Sequence, residues 1–277
     1  PIFGCEMYVA RRTMHDKDKS MHDNSGYHLI VLAKNYNGYK NLIKLVSHAW
    51  VDGYYYRPRT DRAELEKYHE GLIVCSACIA GEIPSKIIHG DIDGAREACE
   101  WYHRVFGDDF YLELQRHEVK DPTILANREA FPLQQKANKV LLQFAKEYGI
   151  KVVCTNDCHF EDKETAEAHD HLLCLATNED LDDPKRMRYS KQEWFKSRQE
   201  MNDVFSDIPE ALTNTLEVLD KVEIYSIDHG PIMPFFPIPE SFGTEEEWEK
   251  KFTEEDLYKE FTTDENGENP LSPEEGQ

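Results

Sequence analysis

The feature that most constrains this chain is an alternation. Short apolar runs rich in Val, Ile, Tyr or Phe recur at Ile2–Val9, Tyr27–Ala33, Gly71–Cys78, Phe110–Gln115 and Lys151–Thr155, each of strand length. Amphipathic stretches lie between them at Tyr39–Trp50, Ile92–Phe106 and Glu129–Tyr148. The last carries Val140, Leu141, Phe144, Ala145 and Tyr148 at helical spacing and stops at Gly149. Repeated β-then-α units predict an α/β fold built on a mainly parallel sheet or a barrel. No G-x-G-x-x-G follows any of the strands, so a dinucleotide site has no support. After about residue 161 the strand signals end, and helices are predicted over Lys163–Ala176, Lys191–Phe205 and Pro209–Lys221. A Pro-rich exit, His229–Pro239, leads into an acidic tail whose final dozen residues are expected to be disordered. The predicted organisation is an α/β body over 1–162, a helical continuation over 163–228, and the exit and tail over 229–277.

Charge narrows the partners less than its size suggests. The 277 residues carry a formal net charge of −22, which argues against a protein that coats nucleic acid with lysine and arginine. Half of that excess sits in Glu240–Gln277, with 14 acids and 3 bases. The rest holds 40 acids against 29 bases, a balance that still allows a local basic groove. No run of 18 apolar residues exists to span a membrane. The seven cysteines, an odd number with no export signal, read as reduced thiols of a cytoplasmic protein. The chain opens at Pro1 inside a predicted strand and without a Met, so a fragment is expected, with its own N-terminus upstream.

The sharpest chemical signal is Thr155-Asn156-Asp157-Cys158-His159, directly after the strand Val152-Val153-Cys154. On an extended chain Asp157 and His159 point to the same side. A carboxylate and an imidazole at the C-terminal end of a parallel strand sit where α/β barrels place their active sites, and together they suit Zn²⁺, Mn²⁺ or Fe. The bland alternative, and the commoner one for an isolated D-x-H, is a loop in which the Asp caps the next helix and the His is exposed. The Cys75-Ser76-Ala77-Cys78 pair invites a zinc ribbon with Cys154 and Cys158, but no Gly or Pro shapes a knuckle there. Buried apolar thiols are the simpler reading, with Cys78 at the strand end able to serve as a thiolate ligand. Glu6 and His28 sit at comparable strand positions, and Glu113 lies inside an alternating strand, facing either solvent or the surroundings of a site. His15, His22, His169 and His171 read as structural or surface groups. Arg57 and Arg59, interleaved with Tyr54-Tyr55-Tyr56, and Lys185, Arg186 and Arg188 are candidate contacts to single-stranded nucleic acid; solvated loops are the alternative.

Several of these segments, with Asn37–Leu42, Gly53–Arg59, Cys78–Pro84, Phe110–His117 and Thr155–Phe160, resemble the PHP (polymerase and histidinol phosphatase) domain of bacterial replicative DNA polymerase III alpha subunits. Leu181–Arg186 and Phe205–Thr215 resemble the alpha subunit rather than a stand-alone histidinol phosphatase. The resemblance implies a distorted (β/α)7 barrel, here lacking its first strands, with up to three divalent ions (Zn, Mn or Fe) at the strand ends. Carried over by position, Glu6, His28, Cys78, Asp157 and His159 would be metal ligands, with Glu6, Asp157 and His159 catalytic. The family's opening H-x-H, a following Asp and a further His would lie upstream of Pro1, leaving an open barrel with an exposed parallel edge. The polymerase aspartates, with their Mg²⁺, would lie downstream of Gln277. The implied activity is 3′→5′ exonucleolytic phosphoester hydrolysis in DNA replication. The implied partners are DNA, a proofreading exonuclease subunit and, through the whole protein, a sliding clamp, with no membrane. A non-catalytic module that stabilises the polymerase and docks the proofreading subunit is the alternative.

Overall fold

The computed structural model describes residues 1–235, 237 and 239–262. They divide after Ile227 into two compact units. The first unit is built on six strands: β1 (Gly4–Ala10), β2 (Gly26–Ala33), β3 (Arg59–Thr60), β4 (Leu72–Cys75), β5 (Phe110–Leu114) and β6 (Lys151–Cys154). They form one sheet in the order β3-β1-β2-β4-β5-β6. The α/β class is as expected, but the sheet is more mixed than the alternation implies. Strand β2 runs antiparallel to both β1 and β4, whereas β1–β3, β4–β5 and β5–β6 are parallel. The physical reason lies in residues 11–25, a loop with no long helix, which returns the chain beside β1 without the crossover a parallel neighbour requires. The outer side of β1, expected to be a bare parallel edge, is covered where Tyr8 and Val9 pair with Arg59 and Thr60 of β3. No ladder among the described residues joins β3 to β6 into a closed ring.

Helices α1 (Tyr36–Val51), α2 (Arg62–Lys67), α3 (Glu82–Ile88), α4 (Ile92–Phe106) and α5 (Ala130–Tyr148) alternate with these strands. Period-two alternation along the strands sorts the core. Leu72, Val74, Phe110, Leu112, Leu114 and Val152 join the larger cluster with Leu45, Ile87, Cys99, Leu141 and Phe144 from the helices. Ile73, Cys75, Tyr111 and Val153 point the other way, against Val218 of α8 (Pro209–Lys221). That helix also guards the outer strand, because the Asn214 side chain donates to the Val152 carbonyl at 2.8 Å. The Asn35 side chain caps α1 by accepting from Gly38 N at 2.9 Å. Glycine is required at 38, where a Cβ would lie 1.8 Å from the Gly71 carbonyl oxygen.

Several element bounds move. The fourth strand stops at Cys75 rather than Cys78, because the chain turns through Ala77 in the left-handed region (φ 61°). The helix expected over Lys191–Phe205 is only α7 (Arg198–Val204). Its start is set by a capping box in which Ser197 and Glu200 bond each other's backbone. Residues 186–196 instead form an irregular strap, with Trp194 bridged to Phe160. The predicted helix from Lys163 is a 3-10 turn (Lys163–Thr165) running into α6 (Ala166–Thr177). Strand β3 and helices α2 and α3 were too short to register as periodic patterns.

The second unit contains α9 (Glu245–Glu249) and α10 (Glu254–Thr262), the first capped by Thr244. The tail expected to be disordered lies outside the described residues. Among the described residues no helix is long and apolar enough to cross a membrane.

Candidate metal centre

The antiparallel ladder of β1 and β2 sets Tyr8 opposite His28 and Glu6 opposite Ile30. Glu6 and His28 therefore share one face as diagonal neighbours, and His28 Nδ1 lies 2.6 Å from Glu6 Oε1. A second chain segment reaches the same spot. The His28 amide donates to the Ala80 carbonyl at 3.1 Å and His28 bridges Gly81, which draws the loop after β4 onto β2. Cys78 Sγ then stands 3.7 Å from His28 Nδ1. Donor atoms of Glu6, His28 and Cys78 all lie within 4.8 Å of one another. Hydrogen bonding to Cys78 and then to Glu6 outweighs burial and pushes the His28 imidazole up to about 10.

Asp157 and His159 arrive from the opposite side. Asp157 adopts a left-handed conformation (φ 45°) just after β6, the kind of strained backbone that persists only where its surroundings fix it. Buried Asn156 does the fixing, since its amide donates to the carbonyls of Gln192 at 2.9 Å and Trp194 at 2.7 Å. The His159 amide donates to the Glu193 carbonyl at 2.8 Å. His159 Nε2 lies 3.4 Å from Asp157 Oδ1. Burial alone would raise the Asp157 carboxyl, but His159, with His117 and His28 nearby, holds it below its ordinary value. The bond to Asp157 raises His159 in turn.

All five candidate ligands line one cavity of about 380 Å³. A nitrogen, a thiol sulfur and carboxylate oxygens make a donor set suited to zinc or a first-row transition metal. The Glu6–His28 contact is a closed hydrogen bond, however. Two ligands about 2.1 Å from a tetrahedral ion lie roughly 3.4 Å apart, so this pair must open slightly and lose its proton to hold one.

Glu113 ties the two sides together. Its buried carboxylate accepts from Ala77 N at 3.1 Å, next to Cys78, from Gln115 Nε2 at 3.1 Å, and from the Thr155 hydroxyl, two residues before Asp157. Burial pushes this carboxyl up. Of the two settings open to it from sequence, Glu113 takes the one beside the site.

Residues that sequence reasoning passed over complete the lining. His117 is buried, with Nε2 donating to the Asn156 carbonyl at 3.1 Å and Nδ1 accepting from Gln134 at 3.0 Å; burial lowers its pKa. Both nitrogens are engaged, so it positions rather than ligates. Glu193 is buried, holding Ser190 through its carboxylate. Tyr189 packs its ring 4.5 Å from His159 and 5.1 Å from His169, so His169 takes the structural of its two readings, packed beside the site. The strap that carries Tyr189 and Glu193 was expected to be partly helical, which hid them.

The five basic candidates separate sharply. Arg57 is exposed, its guanidinium 5.4 Å over the Tyr8 ring, and Lys185 is exposed. Arg59 is fully buried and donates to the carbonyls of Gly53, Asp23, Met14 and Asp16. Arg186 is buried in a two-pronged pair with Asp170 at 2.7 and 2.6 Å. The expectation of phosphate contacts at Arg59 and Arg186 is thereby corrected: their donors are engaged inside the fold. Arg188 lines the cavity and donates to the carbonyls of Asp183 and Pro184.

Residues 1–117 match the PHP domain. The chain is 40% identical to the DNA polymerase III subunit alpha of Borreliella burgdorferi, over 95% of this chain and 22% of that protein. The corresponding subunit of Treponema pallidum is 34% identical over 93% of this chain and 21% of its own length. That of Thermus aquaticus is 36% identical over 91% and 20%. The chain thus spans about a fifth of the length of the curated relatives it matches. With this similarity along nearly all of its length and a PHP domain at its start, the chain is homologous to the PHP-bearing region of DNA polymerase III alpha subunits.

Proposed function

We propose that this chain is the metal-dependent phosphoester hydrolase module of a bacterial replicative DNA polymerase, a cytoplasmic protein acting as a 3′→5′ exonuclease in DNA replication. The convergence of Glu6, His28, Cys78, Asp157 and His159 on one cavity carries the reading. Residues 1–162 would hold the ligands and 163–228 would supply the strap that closes the cavity. Zn²⁺, Mn²⁺ or Fe bound there would supply an activated water and stabilise a leaving 3′-oxygen. Glu6, His28 and Cys78 would hold metal from one side of the cavity, and Asp157 with His159 from the other. Glu113 and His117 would hold the two sides in register. DNA, a proofreading subunit and a sliding clamp are the partners proposed for the whole protein, with Mg²⁺ serving its polymerase site.

Elemental mass spectrometry after exhaustive dialysis, paired with hydrolysis of a 3′-labelled single-stranded oligonucleotide, tests this. Bound zinc, manganese or iron and a hydrolysis that Asp157→Asn abolishes are expected; hydrolysis unchanged by that substitution sinks the catalytic role. The Glu6–His28 contact at 2.6 Å, which closes the cluster, favours a second reading in which the domain is structural and docks a separate proofreading subunit. That reading wins if the folded protein holds metal without hydrolysis, or holds none.

A further inference from the structure

A ladder of rings and cations leads out of the cavity on the β1 side. Tyr8 lines the cavity and meets the His28 ring edge-on at 5.0 Å. Arg57 lies over the outer part of the same ladder, 5.4 Å from the Tyr8 ring centre. Tyr55 and Tyr56 follow, in a T-shaped contact at 4.9 Å, and Lys19 lies 6.0 Å over Tyr56. The loop is held rigid, with the Tyr55 amide donating to the Arg57 carbonyl at 3.0 Å. Tyr56 is forced into the left-handed region (φ 62°) and remains 59% exposed. A bulky aromatic residue held at such a backbone and left facing water is a pointer to function.

The charge around this loop favours an anion. Among the described residues neither Arg57 nor Lys19 is within ion-pair distance of a carboxylate. The neighbouring acids are turned to internal uses: Asp16 accepts from Thr13, Asp18 from Ser20, and buried Asp23 from Arg12. In a chain of net charge −22, this track sets two cations without carboxylate partners among aromatic rings and ends at the candidate metal centre. Exposed rings alternating with unpaired cations are what a single strand uses, bases on rings and phosphates on cations.

We propose that the Tyr8–Arg57–Tyr56–Lys19 ladder is the path by which single-stranded DNA reaches the cavity, with the strand's 3′ end at Glu6 and His28 and its preceding nucleotides running outward over Tyr8 and Tyr56. The path rests on the hydrolase reading for its direction, but strand binding is measurable without catalysis. Fluorescence anisotropy of a 5′-labelled oligo(dT) strand, with the full chain in EDTA at low salt, separates the two. Arg57→Ala and Tyr56→Gly are each expected to weaken binding about tenfold, and Arg57→Ala to reduce the log-affinity against log-salt slope by about 0.7, the increment of one phosphate on a single strand. Glycine relieves the backbone at 56, so a loss there belongs to the ring, and circular dichroism confirms the fold of both variants. Wild-type protein that does not bind the strand, or variants that bind it as wild type does, overturn the path whatever the nuclease assay reports. A variant that weakens strand binding supports it even if no hydrolysis occurs.

Discussion

The two sides of the candidate metal cavity are built by different physics. Glu6 and His28 stand on a seven-rung antiparallel ladder between β1 and β2, so their placement is distributed over backbone bonds that no single side chain controls. Asp157 and His159 stand on irregular chain after a four-residue strand, held by a few buried side chains that reach the 186–196 strap. The ladder-borne side should therefore tolerate substitution of its own functional groups. The loop-borne side should lose stability and site geometry together when a remote anchor is cut.

The largest effect is expected at the far anchor of the strap. Arg186 and Asp170 are both buried and doubly bonded, so Asp170→Asn leaves a buried guanidinium without its counter-charge, at a cost of about 3 kcal/mol. The pH dependence has a definite sign. The Arg186 hydrogen bond holds the Asp170 carboxyl below its ordinary value of 3.8, so its stabilisation is present above that pH and is lost as pH falls through the depressed native value. Urea midpoints should separate wild type from Asp170→Asn at pH 7, and the gap should narrow progressively as pH falls below 3.8. A gap that stays constant through that fall would remove the ion pair as the anchor.

Asn156 comes next. Replacing it with Leu removes one donor each from the Gln192 and Trp194 carbonyls, leaving Lys196 on the first and the Cys158 thiol on the second, which should cost about 2 kcal/mol and loosen the strap. Trp194 fluorescence on denaturation would show the strap melting before the body; one coincident transition with unchanged midpoint would contradict the division drawn here. Glu113→Gln follows at about 1–2 kcal/mol, since an amide offers one acceptor oxygen to three donors. Because Glu113 touches both sides, this variant should lower metal affinity throughout, unlike either anchor.

How much of this was readable from the sequence follows the same division. The ladder-borne strands carry long β-branched and aromatic runs and both were legible, although the antiparallel course of β2 was not; Glu6 and His28 were weak signals alone and became ligand candidates through the family resemblance. The Asp157 and His159 pair was visible because it abuts the Val152–Cys154 run. The strap was misread because Lys191–Phe205 has helical composition, and what breaks the helix is tertiary: Asn156 and His159 capture the backbone of 192–194. Burial of Arg59 and Arg186 was equally hidden, since a basic residue in a polar segment looks solvated until carbonyls or a carboxylate elsewhere in the chain enclose it.

The smallest stability effect should come from the ladder-borne side itself, at Cys78→Ser. The loop that carries Cys78 is held through backbone, by the His28 amide on Ala80 and the Glu113 carboxylate on Ala77, and neither bond involves the thiol. Only the contact to His28 at 3.7 Å is altered, so the change in unfolding free energy should stay below about 1 kcal/mol. Metal binding should respond far more, because exchanging a thiolate for a hydroxyl removes the soft ligand from the set and weakens zinc relative to manganese. Thermal denaturation beside a zinc–manganese competition reads both quantities on one protein. A large loss of stability would mean that the thiol holds the loop and that the ladder does not. Equal zinc affinity would mean that Cys78 packs beside the ion without ligating it, leaving Glu6 and His28 as the only ligands on that side.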